Sequence, residues 1–241
     1  MSTSPTKDAY AIPSVVALGD AYGVALDGTP VRTPAGAAIA VHTQAFAQAL
    51  ADEWQGVVPK GKFTKIDFAR VPLTRIVGTA IDRIGPQRDA IIEALLGFAE
   101  TDLVCYRVEQ PRDLAARQIA HWQPLLDWLA HRYDARLETH LAVVGPPQPE
   151  ASLKALRKAL AAASDLELAG LGVAVDAAGS LAIGLALAQA RIDAAQAFAA
   201  AELDAAYQAE RWGEDPVLTA KHAAIRDDLA VCERFFALAR G

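Results

Sequence analysis

The sequence predicts an α+β fold: a small N-terminal antiparallel sheet domain with a covering helix (residues 1–71), then a larger all-α C-terminal domain (72–241). Three observations carry this. Short apolar runs separated by turn residues fill the first 41 positions, apolar residues recur every three or four positions from Pro72 onward, and composition shifts near residue 70. At roughly 100–200 residues per domain, 241 residues allow one large domain or two modest ones.

The strand-like runs are Val15–Leu18, Tyr22–Leu26, Val31–Thr33 and Ala38–Val41. Gly19-Asp20, Asp27-Gly28 and Pro34-Ala35-Gly36 separate them. Asp-Gly between apolar runs is a strong hairpin signal, because both central residues of a type I′ turn need positive φ. Thr43 then reads as the N-cap of an amphipathic helix over Gln44–Trp54, with Phe46, Leu50 and Trp54 on one face. Gly56–Lys65 reads as a loop and Ile66–Ala69 as an edge strand. Beyond this, helices are expected over Leu73–Ile84, Pro86–Glu100 and Pro111–Tyr133, the prolines standing where a first turn tolerates them. Leu137–Val144 reads as a short extended piece. Further helices are expected at Pro149–Ala163, Leu166–Val175, Ser180–Gln189, Asp193–Trp212 and Pro216–Ala239.

The composition bounds function. Hydrophobic residues make up 53% of the chain, which is incompatible with wholesale disorder. With 29 acidic against 23 basic side chains, a net charge of −6 and a pI near 5.4, the chain is ill suited to phosphate backbones, and no nucleic-acid partner is expected. The Ala-rich stretch between Asp176 and Arg191 holds 14 uncharged residues, short of the ~18 that a spanning helix needs, so no membrane insertion is expected. Cys105 and Cys232 stand 127 positions apart, neither a metal pair nor a disulfide framework, which suits a reducing compartment. The stretch Met1–Asp8 has neither a secretory nor a transit pattern. Together these features point to a soluble, intracellular, mildly acidic globular protein.

Catalytic signatures are missing. The Walker pattern and the Gly-x-Ser-x-Gly turn are absent, and Gly170-x-Gly172 has no third glycine at dinucleotide spacing. That pair is read instead as a break between two helices rich in small residues. His42, His121, His131, His140 and His222 form no i, i+4 metal pair and have no nearby Cys ligand. Cys105, in Leu-Val-Cys-Tyr, is set among apolar residues that raise a thiol pKa. Glu202 with Asp204 and Asp227 with Asp228 are read as solvated helix faces. No cofactor, metal or catalytic residue is expected.

Recognition-like features remain. Residues Glu202–Asp215 hold five acids (Glu202, Asp204, Glu210, Glu214, Asp215) against Arg211, a local charge of −4, with Tyr207, Gln208 and Trp212 among them. On a helix Asp204, Gln208 and Arg211 share a face, and Gly213 is a natural terminator. An acidic helix end beside a tryptophan suits an arginine-bearing partner surface. The alternative is a solvated acidic face with Trp212 in the core. Trp122 and Trp128, at three- and four-residue spacing with Leu125 and Leu129, read as core.

Seven segments in order then resemble a known family: Leu26-Asp27-Gly28 with Arg32–Gly36; Glu53-Trp54; Pro72–Arg75 with Ala80–Asp82; Thr101–Arg107; Gln118 with Trp122–Trp128; Gly179–Leu181; and Tyr207–Gly213. The chain resembles the assembly chaperone of the α subunit of the F-type ATP synthase catalytic head, the Atp-twelve family, from about residue 15 to the C-terminus. The resemblance implies a non-enzymatic chaperone with a small α/β domain followed by a helical one. It also implies a transient partner, the α subunit, whose β-facing surface is shielded until the hexamer forms. An acid near the Gln208–Gly213 segment carries weight in the family. That role falls on Glu210 first and Asp204 second, with Glu202, Gln208 and Trp212 beside them. Where relatives commonly carry acids just before the Tyr-Gln, this chain has Ala205 and Ala206. The expected state is a monomer, and the resemblance implies the bacterial cytoplasm or, after processing, the mitochondrial matrix. A competing reading is a small-molecule or nucleotide binder with Arg32, Arg75 and Arg107 lining a pocket between the domains, since arginines at bends suit bidentate anion contacts.

Overall fold

A computed structural model describes residues 10–58, 68–142, 144–213 and 216–241. The chain divides into two compact units, one of Met1–Pro86 with Ala237–Gly241 and one of Gln87–Phe236.

The first unit is built on a hairpin. Strands β1 (Pro13–Leu18) and β2 (Ala21–Leu26) pair antiparallel in the register Val15 to Val24. Asp27 and Gly28 both take positive φ (48° and 80°), so the Asp-Gly turn leads β2 into the short β3 (Thr29–Pro30) as its composition requires. Strand β4 (Ala40–Val41) returns to β2. The expected strand at Val31–Thr33 reduces to a single Arg32–Ala38 bridge, because Thr33 instead receives the Ala37 N–H on its hydroxyl and donates that hydroxyl to Asp82.

Helix α1 (Gln44–Glu53) starts at Thr43, whose hydroxyl accepts the Phe46 N–H, and packs Phe46 and Leu50 onto the sheet. Its end is tied to the start of helix α2 (Pro72–Thr79) by one side chain. The Glu53 carboxylate accepts the N–H groups of Leu73 (2.7 Å) and Thr74 (3.0 Å), two donors that a helix start leaves without partners. Trp54, fully buried, donates its indole N–H to the Thr74 hydroxyl. The expected edge strand at Ile66–Ala69 is not formed where it is described: Phe68–Arg70 is a 3₁₀ turn, and Ile66 and Asp67 lie outside the described residues. The expected helix to Ile84 is α-helical to Thr79 and π-helical over Ala80–Ile84 before α3 (Gly85–Glu100), in which Gln87 departs from helical angles.

The second unit is helical: α4 (Arg112–Tyr133), α5 (Glu150–Ala162), α6 (Asp165–Ala178), α7 (Leu181–Ala188), α8 (Ala194–Ala201), α9 (Leu203–Trp212) and α10 (Pro216–Arg240), the last four residues of α10 belonging to the first unit. Helix α7, Leu-Ala-Ile-Gly-Leu-Ala-Leu-Ala, is apolar on every side and buried on every side. Between α6 and α7, Gly179 supplies a left-handed terminus and Ser180 an N-cap whose hydroxyl accepts the Ile183 N–H. Gly170 and Gly172 therefore mark no break, contrary to expectation; both lie inside α6. Gly170 instead lets α10 approach, since a Cβ there would stand 2.7 Å from a Phe236 ring carbon and 3.0 Å from one of Phe235.

Leu137–Val144 is not a strand. Its one bridge pairs Tyr106 with His140, and side chains take the place of a neighbouring strand: Gln148 exchanges two hydrogen bonds with the Glu138 backbone, and Ser152 donates to the Arg136 carbonyl. Val143 is outside the described residues. The expected single helix over Asp193–Trp212 is two helices, interrupted at Glu202 (φ −104°, ψ 19°).

Asp102 is buried completely. Its carboxylate accepts the Val104 N–H (3.2 Å) and the Ala182 N–H in the first turn of α7 (3.0 Å). Burial pushes its pKa up to about 6, against the pull of Ser180 and three backbone N–H groups. Cys105 beside it is buried as expected, its thiol pushed up to about 12 mainly by burial.

Two outcomes follow from this packing. Gly170→Ala is expected to lower stability by about 1–3 kcal/mol through overpacking. Gly172→Ala, with no atom within 4 Å of the added Cβ, is expected to be neutral or stabilising by up to ~1 kcal/mol. Urea denaturation of the two variants checks the contrast. The Asp102 carboxyl holds its proton more tightly in the folded than in the unfolded chain, so the group withdraws stability as pH rises from about 4 to about 6. The unfolding free energy of the wild type relative to Asp102→Asn is therefore expected to fall by something on the order of 3 kcal/mol between pH 4 and pH 7, read by urea titrations across that range.

Candidate partner-binding site

Helix α9 carries Asp204, Gln208, Glu210 and Trp212, four of the five candidate site residues, and Glu202 is the break before it. Glu214 and Asp215 lie outside the described residues. One side of α9 faces α4. Tyr207 is buried and donates its hydroxyl to Asp113 (2.8 Å), while the Arg117 and Arg211 guanidinium groups lie 5.3 and 4.5 Å from its ring centre. Asp113 also pairs with Arg211, and Arg117 with Glu210 at 2.8 Å. These contacts tune the charges. The Tyr207 hydroxyl holds the Asp113 carboxyl below the ordinary range, and the hydrogen bond from Arg117 does the same for Glu210. Burial, together with the Asp113 carboxylate, raises Tyr207.

Asp204 accepts a hydrogen bond from Gln118 Nε2 at 2.9 Å. Gln118 is itself buried, its Oε1 accepting the Val108 N–H (3.0 Å) and its backbone carbonyl accepting from Arg107 (2.8 Å). Trp122, buried as expected, donates its indole N–H to the Ala200 carbonyl in the last turn of α8 (2.8 Å), and Arg107 lies 5.3 Å over its ring. These bonds from α4 hold the chain on either side of Glu202, which is why one periodic stretch folds as two helices.

The other side of α9 faces α10 across a cleft of about 660 Å³. Ala205, Ala206, Ala209 and Ala223 line it with small apolar surface, Phe198, His222 and Arg226 form the far wall, and Gln208, Glu210 and Trp212 stand on the α9 side. The Arg226 guanidinium lies 4.4 Å over the Phe198 ring. Glu202 closes one end, its carboxylate 2.9 Å from His222 Nε2 with only 14% of its side chain exposed. Trp212 is 77% exposed, so the core alternative for it is excluded; Tyr207 is the aromatic that α9 buries.

The five expected residues thus divide. Asp204 faces α4, Glu202, Gln208 and Trp212 line the cleft, and Glu210 reaches both, lining the cleft while pairing with Arg117. Asp113, Arg117, Phe198, His222 and Arg226 were not singled out from the sequence as part of this site. The i, i+4 spacings of Asp113 with Arg117 and of His222 with Arg226 are local signs of shared faces. Of the arginines in the competing reading, Arg32 bonds the Gly36 carbonyl and Arg107 the Gln118 carbonyl, and the second guanidinium nitrogen of Arg107 is buried. Among the described residues no group of three His, Cys, Asp or Glu side chains is placed to hold a metal ion, and no helix is long and apolar enough to cross a membrane.

The profile of the family described as ATP12 chaperone protein matches residues 7–130, just over half of the chain. Atp12 from Paracoccus denitrificans is similar in structure, with a TM-score of 0.87 at 35% identity over 97% of this chain and 98% of that one. The chain belongs to the ATP12 chaperone family. A lysine-for-aspartate mutant of the P. denitrificans protein gives the same TM-score and identity over 96% of this chain and 97% of that one. The mitochondrial protein atp12 of Schizosaccharomyces pombe is 22% identical over 201 residues, 79% of this chain and 68% of that protein. As an ATP12 family member the chain is a chaperone, not an enzyme, and its α+β layout is that of the family.

Gln118→Ala removes the partner of the Val108 N–H and of Asp204 in a buried place, and is expected to cost about 2–3 kcal/mol of stability. Glu210→Gln, which breaks an exposed ion pair, is expected to leave the denaturation midpoint nearly unchanged. Parallel urea melts check both.

Proposed function

We propose that this ATP synthase assembly chaperone binds the free α subunit of the F-type catalytic head, shields its β-facing surface and releases it as the alternating hexamer forms. The single observation that carries the reading beyond family membership is Trp212: a large aromatic, 77% exposed, at the end of an acidic helix and on the rim of an open cleft. Exposed aromatics of this kind are the anchors on which interfaces concentrate their binding energy.

The physical logic is mass action. A subunit that exposes a surface meant for burial aggregates through it. A chaperone covering that surface favours the soluble form, and release requires only that its affinity be lower than that of the true partner. Glu210, Glu202, Asp204 and Gln208 orient the client, Trp212 anchors it, and the acidic segment steers approach. The chaperone acts as a monomer in the bacterial cytoplasm or the mitochondrial matrix, and the interaction is transient.

Co-expression with the cognate α subunit, followed by gel filtration, tests this. The expected result is a soluble complex of the two chains that dissociates when β is added. An α subunit that still aggregates overturns the reading. Trp212→Ala is expected to weaken α binding by about 30-fold or more with an unchanged melting curve. Glu210→Lys is expected to weaken it as well, by reversing the charge presented to the client.

A further inference from the structure

The cleft between α9 and α10 has a charge pattern that narrows what can enter it. Helix α9 has 10 residues and is about 15 Å long, so an extended segment lying along it spans about four to five residues.

Two carboxylates line the cleft near opposite ends of α9, and each uses one oxygen within the chain. Glu202 engages His222 through Oε2, and Glu210 engages Arg117 through Oε1. Among the described residues neither carboxylate has a second hydrogen-bonding partner, whereas an ionised carboxylate accepts up to about four bonds. The cation on the far wall, Arg226, is stacked on Phe198. Between the two acids the surface is alanine methyl groups, with Trp212 at the rim. Arginine and lysine suit such a surface, because their methylene stems cover apolar ground while their heads reach an acceptor, and a guanidinium also stacks on an indole.

Glu202 and Glu210 are eight residues apart, about 12 Å along the helix. An extended chain rises about 3.3 Å per residue and presents alternate side chains on one face, so the matching same-face spacing is four residues. We infer that the cleft takes an extended segment of the α subunit carrying two basic side chains four positions apart, one set against Glu202 and the other against Glu210. The inference rests on the α-subunit reading above and specifies where and how that client is held.

The test uses the full chain and the intact α subunit. A photoreactive benzoylphenylalanine in place of Trp212, an exposed aromatic on the rim of the cleft, is expected to crosslink to an α segment with two Lys or Arg residues four apart. Crosslinks to an α segment without that pair, to a second copy of this chain, or to nothing overturn the inference. In parallel, Glu202→Gln and Glu210→Gln are each expected to weaken α binding about tenfold, and the double variant about a hundredfold with a shallower salt dependence. Ala206→Trp, at a position already exposed, is expected to block the cleft while the melting curve stays in place. If the double variant and Ala206→Trp both bind α as the wild type does, the cleft is not the docking site, although the chaperone reading stands. If the wild type itself forms no complex with α, that reading fails first.

Discussion

The separation of α8 from α9 depends on two hydrogen bonds from α4. Trp122 takes the Ala200 carbonyl and Gln118 takes the Asp204 carboxylate, one on each side of Glu202. Both donors are buried, so releasing either leaves an unpaired polar group in the interior. Their geometry fixes where α8 stops and where α9 begins. The cleft beside α9, the exposure of Trp212 and the pairing of Glu202 with His222 all follow from that placement.

The charges on α9 are organised rather than merely displayed. An acidic helix end in isolation would be a solvated face. Here Tyr207 is held between two guanidinium groups with its hydroxyl on Asp113, and each cation is matched by an acid, Arg117 by Glu210 and Arg211 by Asp113. Exposed ion pairs contribute little to stability. Their value lies in orientation: Glu210 is fixed toward the cleft with one oxygen engaged and the other available. A chaperone has to bind its client and later give it up, and partly exposed, partly satisfied acids suit that requirement better than a deeply buried charge would.

Much of the fold was legible in the sequence because its signals are local. The Asp27-Gly28 turn, the Thr43 cap, the helix start at Ser180 and the apolar periodicity each act over a few residues, and each appears where expected. The misreadings share a cause. Gly170 and Gly172 looked like a break because glycine is a poor helix former, yet in α6 Gly170 makes room for the Phe235 and Phe236 rings more than 60 positions away. Leu137–Val144 reads as a short extended piece and carries one bridge, at His140, but the Gln148 side chain rather than a neighbouring strand meets the Glu138 backbone groups. Asp193–Trp212 reads as one continuous helix, but it breaks at Glu202, where bonds from Gln118, Trp122 and His222 converge from other helices.

The same division holds for the candidate site. The sequence by itself determined the composition of the acidic segment, the presence of Trp212 at its end, and a motif order sufficient to place the chain in its family. It also determined that Cys105 is an inert core thiol, since its apolar neighbours are adjacent in the chain. Tertiary structure alone decided that Trp212 faces solvent while Tyr207 is buried, that Asp204 turns to α4 while Glu202 lines the cleft, and that His222, Phe198 and Arg226 form the opposite wall. The physical reason is one of range. Turn chemistry, capping and periodicity are set by neighbours along the chain, whereas the exposure of a side chain and the partner of a carboxylate are set by whichever helix packs against them.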